Sequence, residues 1–311
     1  MGARITGTGS YLPTTVVGND AFEGPQFRLR KGSDRRHHAS PEETSVVMGS
    51  TAGSRALRAA GVDPGDVDLL LCFSGMPDYQ YPKDANLLLD RIGLSNATTW
   101  SIDTACASFI SALACAHSVI EAGLHRRVLV VMVMSWVHRG IDPHTDYSSL
   151  GDGAAAVVVE ADETGSLVGV LERNDPGAFD FVRLRSPFAT GNEEHFEFSH
   201  DPRYREYFGV TVLEPVRQLL QRTDTAPEQI DWFLPHQVGL TLQQLWADAL
   251  GIGRDRGLTT FPTTGNMSAV NIPMILDHHL QPGTAKIQRG DLMLLFAPGA
   301  GMHLSAMLWR L

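Results

Sequence analysis

The 311 residues predict an α/β protein made of two similar halves, five layers in all. Three observations carry that prediction. The segment Pro64-Gly-Asp-Val-Asp68-Leu-Leu-Leu71 returns in character as Pro227-Glu-Gln-Ile-Asp231-Trp-Phe-Leu234, 163 residues later. In both halves, apolar runs of strand length alternate with helix-length segments, and one helix of each half closes on a glycine, Gly93 or Gly251. Such alternation builds a sheet covered by helices. Similarity at a fixed separation marks an internal duplication, and a chain of this length can bury the core of both copies. The halves are residues 1–165 and 166–311, with the seam near 161–175.

In chain order, residues 3–10 read as a strand ending in Gly7-Thr-Gly9-Ser. No third glycine follows, and Tyr11-Leu12-Pro13 stands where a helix would begin, so this is not a dinucleotide fingerprint. Residues 26–40 carry Arg28, Arg30, Lys31, Arg35, Arg36, His37 and His38. Two readings of this basic loop stay open: a receptor for a phosphate-bearing substrate, or a solvated surface. Pro41-Glu-Glu-Thr opens a helix that runs to Ala60. A short strand over 98–102 leads into a tight turn carrying Cys106 and a helix to about Gly123. The strands at 128–136 and 154–160 are echoed by 291–296 and 304–311, and the turn at Cys106 by Thr264-Gly265-Asn266-Met-Ser-Ala. Residues 175–210 are aromatic and charged with weak periodicity, which predicts a loop-rich insertion over a substrate entrance, with a helix from about 202.

Composition narrows the function. A net charge of −10 argues against a general binder of nucleic acid or anionic membrane. Three cysteines with no C-x-x-C pair point to a reducing compartment rather than a disulfide framework. The longest apolar run, 128–137, is too short to span a bilayer. The first ten residues lack a signal-peptide core, so the expected location is the cytoplasm. Cys72 and Cys115 lie in apolar strand and helix patterns and read as inert core thiols, and His278-His279 lacks further ligands at metal spacing. Asp152, between two glycines, reads as a turn cap.

Cys106, His236 and Asn266 stand at corresponding strand ends of the duplicated scheme. A thiol at a helix start meets exposed N–H groups and the positive end of the macrodipole, which favours thiolate. An imidazole can move its proton, and an amide beside it can donate to a developing oxyanion without adding charge. The set suits thioester chemistry.

The motifs Gly7-Thr-Gly-Ser-Tyr-Leu-Pro13, Asp103-Thr-Ala-Cys-Ala-Ser-Phe109, Gly151-Asp-Gly-Ala154, Pro235-His-Gln237 and Gly265-Asn-Met-Ser-Ala-Val-Asn-Ile-Pro273 together resemble the β-ketoacyl-acyl-carrier-protein synthase III family. The resemblance spans nearly the whole chain in order. It implies the thiolase-like duplicated fold, layered αβαβα, and a homodimer. It also implies that Cys106 accepts an acyl group from a coenzyme A or carrier-protein thioester, with no further cofactor and no metal. His236 and Asn266 would then stabilise the enolate of a malonyl-type thioester as it loses CO2, and the Cys106 and Ala300 amides would form an oxyanion hole. The setting would be polyketide or fatty-acid-like biosynthesis.

Three departures from the family pattern bear on the substrate. Phe27-Arg-Leu-Arg-Lys-Gly-Ser33 replaces the tryptophan-containing coenzyme A entrance, and Arg35 and Arg36 in the basic loop suit an acidic carrier. Pro298 and Ala300 alter a loop in which a phenylalanine is associated with decarboxylation. Tyr81-Pro82 stands where a partner residue closes the acyl channel and, with Met134, Trp136 and Met267, points to a non-standard acyl chain. Two other functions stay open: an acyltransferase passing the acyl group to an alcohol or amine, and a non-catalytic partner subunit. Simple acyltransferases of this group tend to carry an acid at the asparagine, so Asn266 favours condensation.

Overall fold

The computed structural model describes residues 2–22, 32–136, 148–185, 197–201 and 203–311. Two sheets form its frame. The first runs β1 (Gly2–Tyr11), β7 (Gly153–Asp162), β6 (Arg127–Met134), β4 (Leu69–Ser74) and β5 (Thr98–Ser101) in spatial order. The second runs β8 (Leu167–Asn174), β13 (His303–Arg310), β12 (Leu292–Gly299) and β11 (Trp232–Pro235). The two orders correspond strand for strand, with β5 the extra edge strand of the first sheet. Parallel and antiparallel pairings correspond as well: β4 with β6 and β11 with β12 are parallel, and the remaining matched pairs are antiparallel.

Helices make the other three layers. Helix α1 (Ser45–Ala60) and α2 (Asp84–Ile92) cover the outer face of the first sheet. Helix α3 (Ser108–Glu121) touches strands of both sheets, so it lies between them together with the later helix Asn271–Leu280. On the outer face of the second sheet lie α4 (Tyr204–Val210), α5 (Glu214–Arg222) and α6 (Leu240–Leu250). The one-turn α7 (Phe261–Thr264) precedes the buried helix 271–280, which is α8. Alternation along each strand supplies the layering. Leu69, Leu71 and Phe73 of β4 face the middle layer, while Leu70 and Cys72 face α1. In β12, Met293 and Leu295 face the middle, and Leu294 and Phe296 pack on Trp246 of the outer layer.

Local rules explain the element ends. Thr44 caps α1 by accepting the Val47 N–H, and Gly61 closes it in the left-handed conformation. Residues 41–43, expected in that helix, form a turn instead, because Glu43 is used to accept from Tyr11 Oη, Thr14 N and Ser40 N. The Gly7/Gly9 pair has a packing reason. A Cβ on Gly7 would lie 2.5 Å from the Ala56 carbonyl, and one on Gly9 would lie 2.6 Å from that of Ala52, so glycine lets α1 rest directly on β1.

The seam at 161–175 includes β8, the edge strand of the second sheet. Two expectations are corrected. Residues 35–38 of the basic loop form a strand, β3 (Arg35–His38), paired with β2 (Thr15–Gly18). The described part of the insertion at 175–210 holds more regular structure than its periodicity indicates: a short 3₁₀ helix over Pro176–Phe181 and an antiparallel pair of β9 (Val182–Arg185) and β10 (Glu197–His200), ahead of α4, which begins at Tyr204 near the expected 202. Phe188, His195 and Phe196 of that insertion lie outside the described residues.

Among the described residues no helix is long and apolar enough to cross a membrane.

Candidate active site

The carboxyl ends of β4, β6, β11 and β12, with the chain that follows β5, converge on one cavity of about 180 Å³. Loops at the carboxyl ends of parallel strands are where an α/β sheet places ligands. Cys106, His236 and Asn266 all line this cavity.

Cys106 occupies a single 3₁₀ turn, Ala105–Ala107, ahead of α3. Ala105 is held at φ 52°, a left-handed conformation costly for a residue with a side chain. Asp103 Oδ1 accepts the Ala105 N–H at 3.0 Å, and Ser108 Oγ accepts from Thr104 N at 2.9 Å and donates to Ala105 O at 2.7 Å. The second half repeats the device 163 residues on, in the turn Ser268–Val270 ahead of α8, with Ser268 at φ 53°. The two strained turns meet: Ser268 Oγ donates to Cys106 Sγ at 3.3 Å.

The end of β12 comes as close from the other side. A Cβ on Gly299 would lie 2.4 Å from the Thr104 carbonyl and 3.4 Å from the Cys106 nitrogen, so only glycine admits this approach. It places the Ala300 N–H, with that of Cys106 itself, where both favour negative charge on the sulfur. The resting sulfur is nevertheless not the stabilised thiolate expected of a helix start. Burial pushes the Cys106 thiol up, the carboxylate of Asp103 adds to that, and the donors from Ser268, Ala300 and Cys106 oppose it without prevailing. The donors are in place for a negative charge that forms during reaction.

His236 follows β11 directly, buried, with its N–H on the Phe296 carbonyl at 2.7 Å. Gln237 beside it is fully buried and accepts from Thr260 N, Phe261 N and Thr259 Oγ1, which pins α7 and thereby the turn carrying Asn266. Asn266 N donates to Ser149 O at 2.8 Å, and its carbonyl accepts from Gly151 N at 3.1 Å. Asn266 Oδ1 accepts from Ser268 N at 2.9 Å and from Asn271 Nδ2 at 3.2 Å. Asn271 Nδ2 also lies 3.0 Å from His236 Nδ1. Ser268 and Asn271 both stand inside the motif Gly265–Pro273, but their roles could not be read from it, because they depend on contacts with the other half and with β11.

Met134 and Trp136 form apolar wall, with Phe73, Leu150 and Phe208. Met267 is fully buried against Gly153 and does not line the cavity. Tyr81 is 86% exposed, outside the cavity, with the Lys83 ammonium 5.2 Å from its ring centre. Arg35 is exposed on β3. Arg36 is fully buried: Nη2 donates to Asn19 Oδ1 at 2.8 Å and Ser33 Oγ at 3.0 Å, Nη1 to Val17 O at 3.3 Å, and the guanidinium lies over Phe22. Burial lowers its pKa to about 10, so it stays charged at neutral pH but cannot meet an external anion. Arg28, Arg30 and Lys31 lie outside the described residues.

The other residues singled out in the sequence, Asp152, Cys72, Cys115 and His279, do not line the cavity. Asp152 is fully buried and accepts from Ala39 N, tying β3 to the start of β7. Burial raises Cys72 to about 12 and also raises Cys115. His279 is buried with its Nδ1 on the Thr284 carbonyl.

Comparison with known proteins agrees with this geometry. The profile described as 3-oxoacyl-[acyl-carrier-protein (ACP)] synthase III matches residues 101–176, and that of the C-terminal part of the same synthase matches 220–311. Together they cover more than half of the chain. The solved 3-oxoacyl-[acyl-carrier-protein] synthase III of Aquifex aeolicus VF5 is 28% identical, with 100% of both chains covered and a TM-score of 0.88. That of Pseudomonas aeruginosa PAO1 is also 28% identical, covering 100% of this chain and 98% of its own, again at 0.88. The priming β-ketosynthase of the R1128 polyketide pathway is 26% identical over 99% of this chain and 96% of its own, at 0.90. A duplicated sheet with its thiol, imidazole and amide at one shared mouth, and sequence profiles that match on both sides of the seam, have one reading: the chain belongs to the 3-oxoacyl-[acyl-carrier-protein] synthase III family of condensing acyltransferases.

Proposed function

We propose that Cys106 takes an acyl group from a thioester and that the enolate of a malonyl-type thioester then attacks it. In the first step Sγ attacks the donor carbonyl, with the oxyanion held by the Cys106 and Ala300 amides, and the thiol proton leaves with the released carrier thiol. In the second, the malonyl thioester loses CO2, and its enolate oxygen is held by donors from His236 and Asn266. The enolate carbon attacks the acyl carbonyl and expels the Cys106 thiolate. The observation that carries this reading is the convergence of Cys106, His236 and Asn266 on one apolar cavity, which Ala300 also lines. A volume near 180 Å³, walled by Phe73, Met134 and Trp136, suits a short or aromatic acyl group better than a long chain.

The acyl carrier is coenzyme A or a carrier protein, and the exposed Arg35 supports an acidic carrier. The protein works as a homodimer: β5 is a sheet edge, and Trp100 on it, with Tyr79 and Tyr81 nearby in sequence to β4, is exposed. Three free thiols support a reducing, cytoplasmic setting.

The test separates the half-reactions. Cys106→Ala abolishes acyl-enzyme formation. Asn266→Asp keeps acylation and loses condensation, because a carboxylate cannot donate to the enolate. Acylation of the Cys106→Ala protein, or full condensation by Asn266→Asp, overturns the assignment.

A further inference from the structure

We infer that Asn271, on the first turn of α8, is the positioning residue that makes donors of both His236 and Asn266. The inference rests on the condensing reading above for its consequence, but its geometry stands alone.

Asn271 is fully buried, so its amide has no solvent alternative. The Met267 N–H points at one of its side-chain terminal atoms at 2.9 Å. A backbone N–H only donates, so that atom is the oxygen and the other is the NH2 group. The NH2 group has two hydrogens, and its two shortest contacts are His236 Nδ1 at 3.0 Å and Asn266 Oδ1 at 3.2 Å, with the Gln237 carbonyl farther off at 3.4 Å. It too only donates. His236 Nδ1 must therefore offer its lone pair, and the proton of the neutral ring sits on Nε2. Asn266 Oδ1 receives this donor and the Ser268 N–H, so its own NH2 group is turned away from both. Both catalytic side chains line the cavity, and each is left with a hydrogen to give. Asn271 thus sets the polarity of His236 and, together with the Ser268 N–H, that of Asn266; with its oxygen and nitrogen exchanged, the His236 ring would be held in the opposite tautomer.

A carboxylate at this position reverses the polarity. It accepts from Nδ1–H, which leaves Nε2 of the neutral ring without a proton, and it repels Asn266 Oδ1. Enolate stabilisation then suffers at both donors, while attack of Cys106 on a thioester, which uses backbone amides, is spared.

The test begins without substrate. Protein labelled with ¹⁵N-histidine, with His236 assigned by comparison with His236→Ala, reports the tautomer by its ring nitrogen shifts. The expected result is Nε2–H in the wild type and Nδ1–H or imidazolium in Asn271→Asp. A wild-type ring protonated on Nδ1, or an unchanged tautomer in Asn271→Asp, overturns the inference. The second arm compares half-reactions. Condensation by Asn271→Asp is expected to fall about 100-fold or more, and Cys106 acylation by less than about tenfold. Asn271→Ser, whose hydroxyl can still donate to Nδ1, restores condensation to within about tenfold of wild type. Equal losses in both half-reactions, with serine no better than aspartate, mean a merely structural role and refute it. If aspartate prevents folding, the wild-type tautomer and the serine variant still decide. If wild type shows the Nε2–H tautomer but does not condense, the condensing reading fails while the assignment of Asn271 stands.

Discussion

Removing the hydroxyl of Ser268 isolates what the second half contributes to the nucleophile of the first. Ser268 Oγ lies 3.3 Å from Cys106 Sγ, and the thiol there is already pushed up by burial. Neutral sulfur is a weak acceptor, so the bond favours thiolate over thiol. A hydrogen bond to a charged group contributes roughly 1.5–3 kcal/mol, and the length of this one and its sulfur acceptor place it near the lower figure. At about 1.4 kcal/mol per factor of ten, Ser268→Ala lowers the thiolate population at neutral pH about tenfold. The substitution is clean. Alanine is already accommodated at φ 52° at position 105, and the Ser268 N–H that serves Asn266 belongs to the backbone. The assay is the rate of iodoacetamide alkylation of Cys106 against pH, read by peptide mass, with buried Cys72 as an internal control. The alkylation curve of Ser268→Ala moves to higher pH, reaches the same alkaline limit, and lies about tenfold lower at neutrality. Superimposable curves for variant and wild type refute the role given to this hydroxyl.

Gly299→Ala forces a Cβ to within 2.4 Å of the Thr104 carbonyl. It displaces the Ala300 amide and lowers kcat about 10²–10³-fold, the cost of one oxyanion donor; unchanged steady-state kinetics contradict this. Arg36→Met leaves Asn19, Ser33 and the Val17 carbonyl without their donor. It lowers stability by about 1–3 kcal/mol in chemical denaturation, with KM for a carrier-bound donor unchanged, whereas a raised KM at unchanged stability makes Arg36 a carrier contact. Burial alone would raise the Glu172 carboxyl, but donors from His303, Ser111 and Ser305 hold it below its ordinary value. A depressed folded-state value stabilises above the unfolded carboxylate range and loses that stability as pH falls through it. The acid limb of Tm against pH is therefore flatter in Glu172→Gln than in wild type, and identical limbs dismiss the linkage.

The duplication was legible because helix and strand ends repeat: Pro64 and Pro227 both open 3₁₀ turns, and Gly93 and Gly251 both close helices in the left-handed conformation. The strand orders of the two sheets, which no single motif carries, follow from that repeat. Cys106, His236 and Asn266 were legible as polar residues at strand ends within apolar surroundings. The charge state of the thiol was not. A helix start argues for thiolate, but desolvation depends on what packs over the sulfur, and the turn at Ser268 arrives from 162 residues away. Arg36 misleads for a related reason. It stands in a basic run, yet strand alternation on β3 turns it inward while Arg35 faces out. Met267 is a similar case, one residue from Asn266 and facing the β7 side of the turn instead of the cavity. The pairing of β9 with β10 escaped because each strand is four residues long, too short for alternation to declare itself.

The most direct measurement is the intact mass of the wild-type protein after incubation with short, aromatic and long acyl thioesters, each then chased with a malonyl thioester. One acyl group is expected on Cys106 from a short or aromatic donor, discharged by the chase as a β-keto product with release of CO2. An acyl-enzyme that survives the chase and yields only to an added alcohol or amine, or a protein that takes up no acyl group from any donor, contradicts the condensing reading.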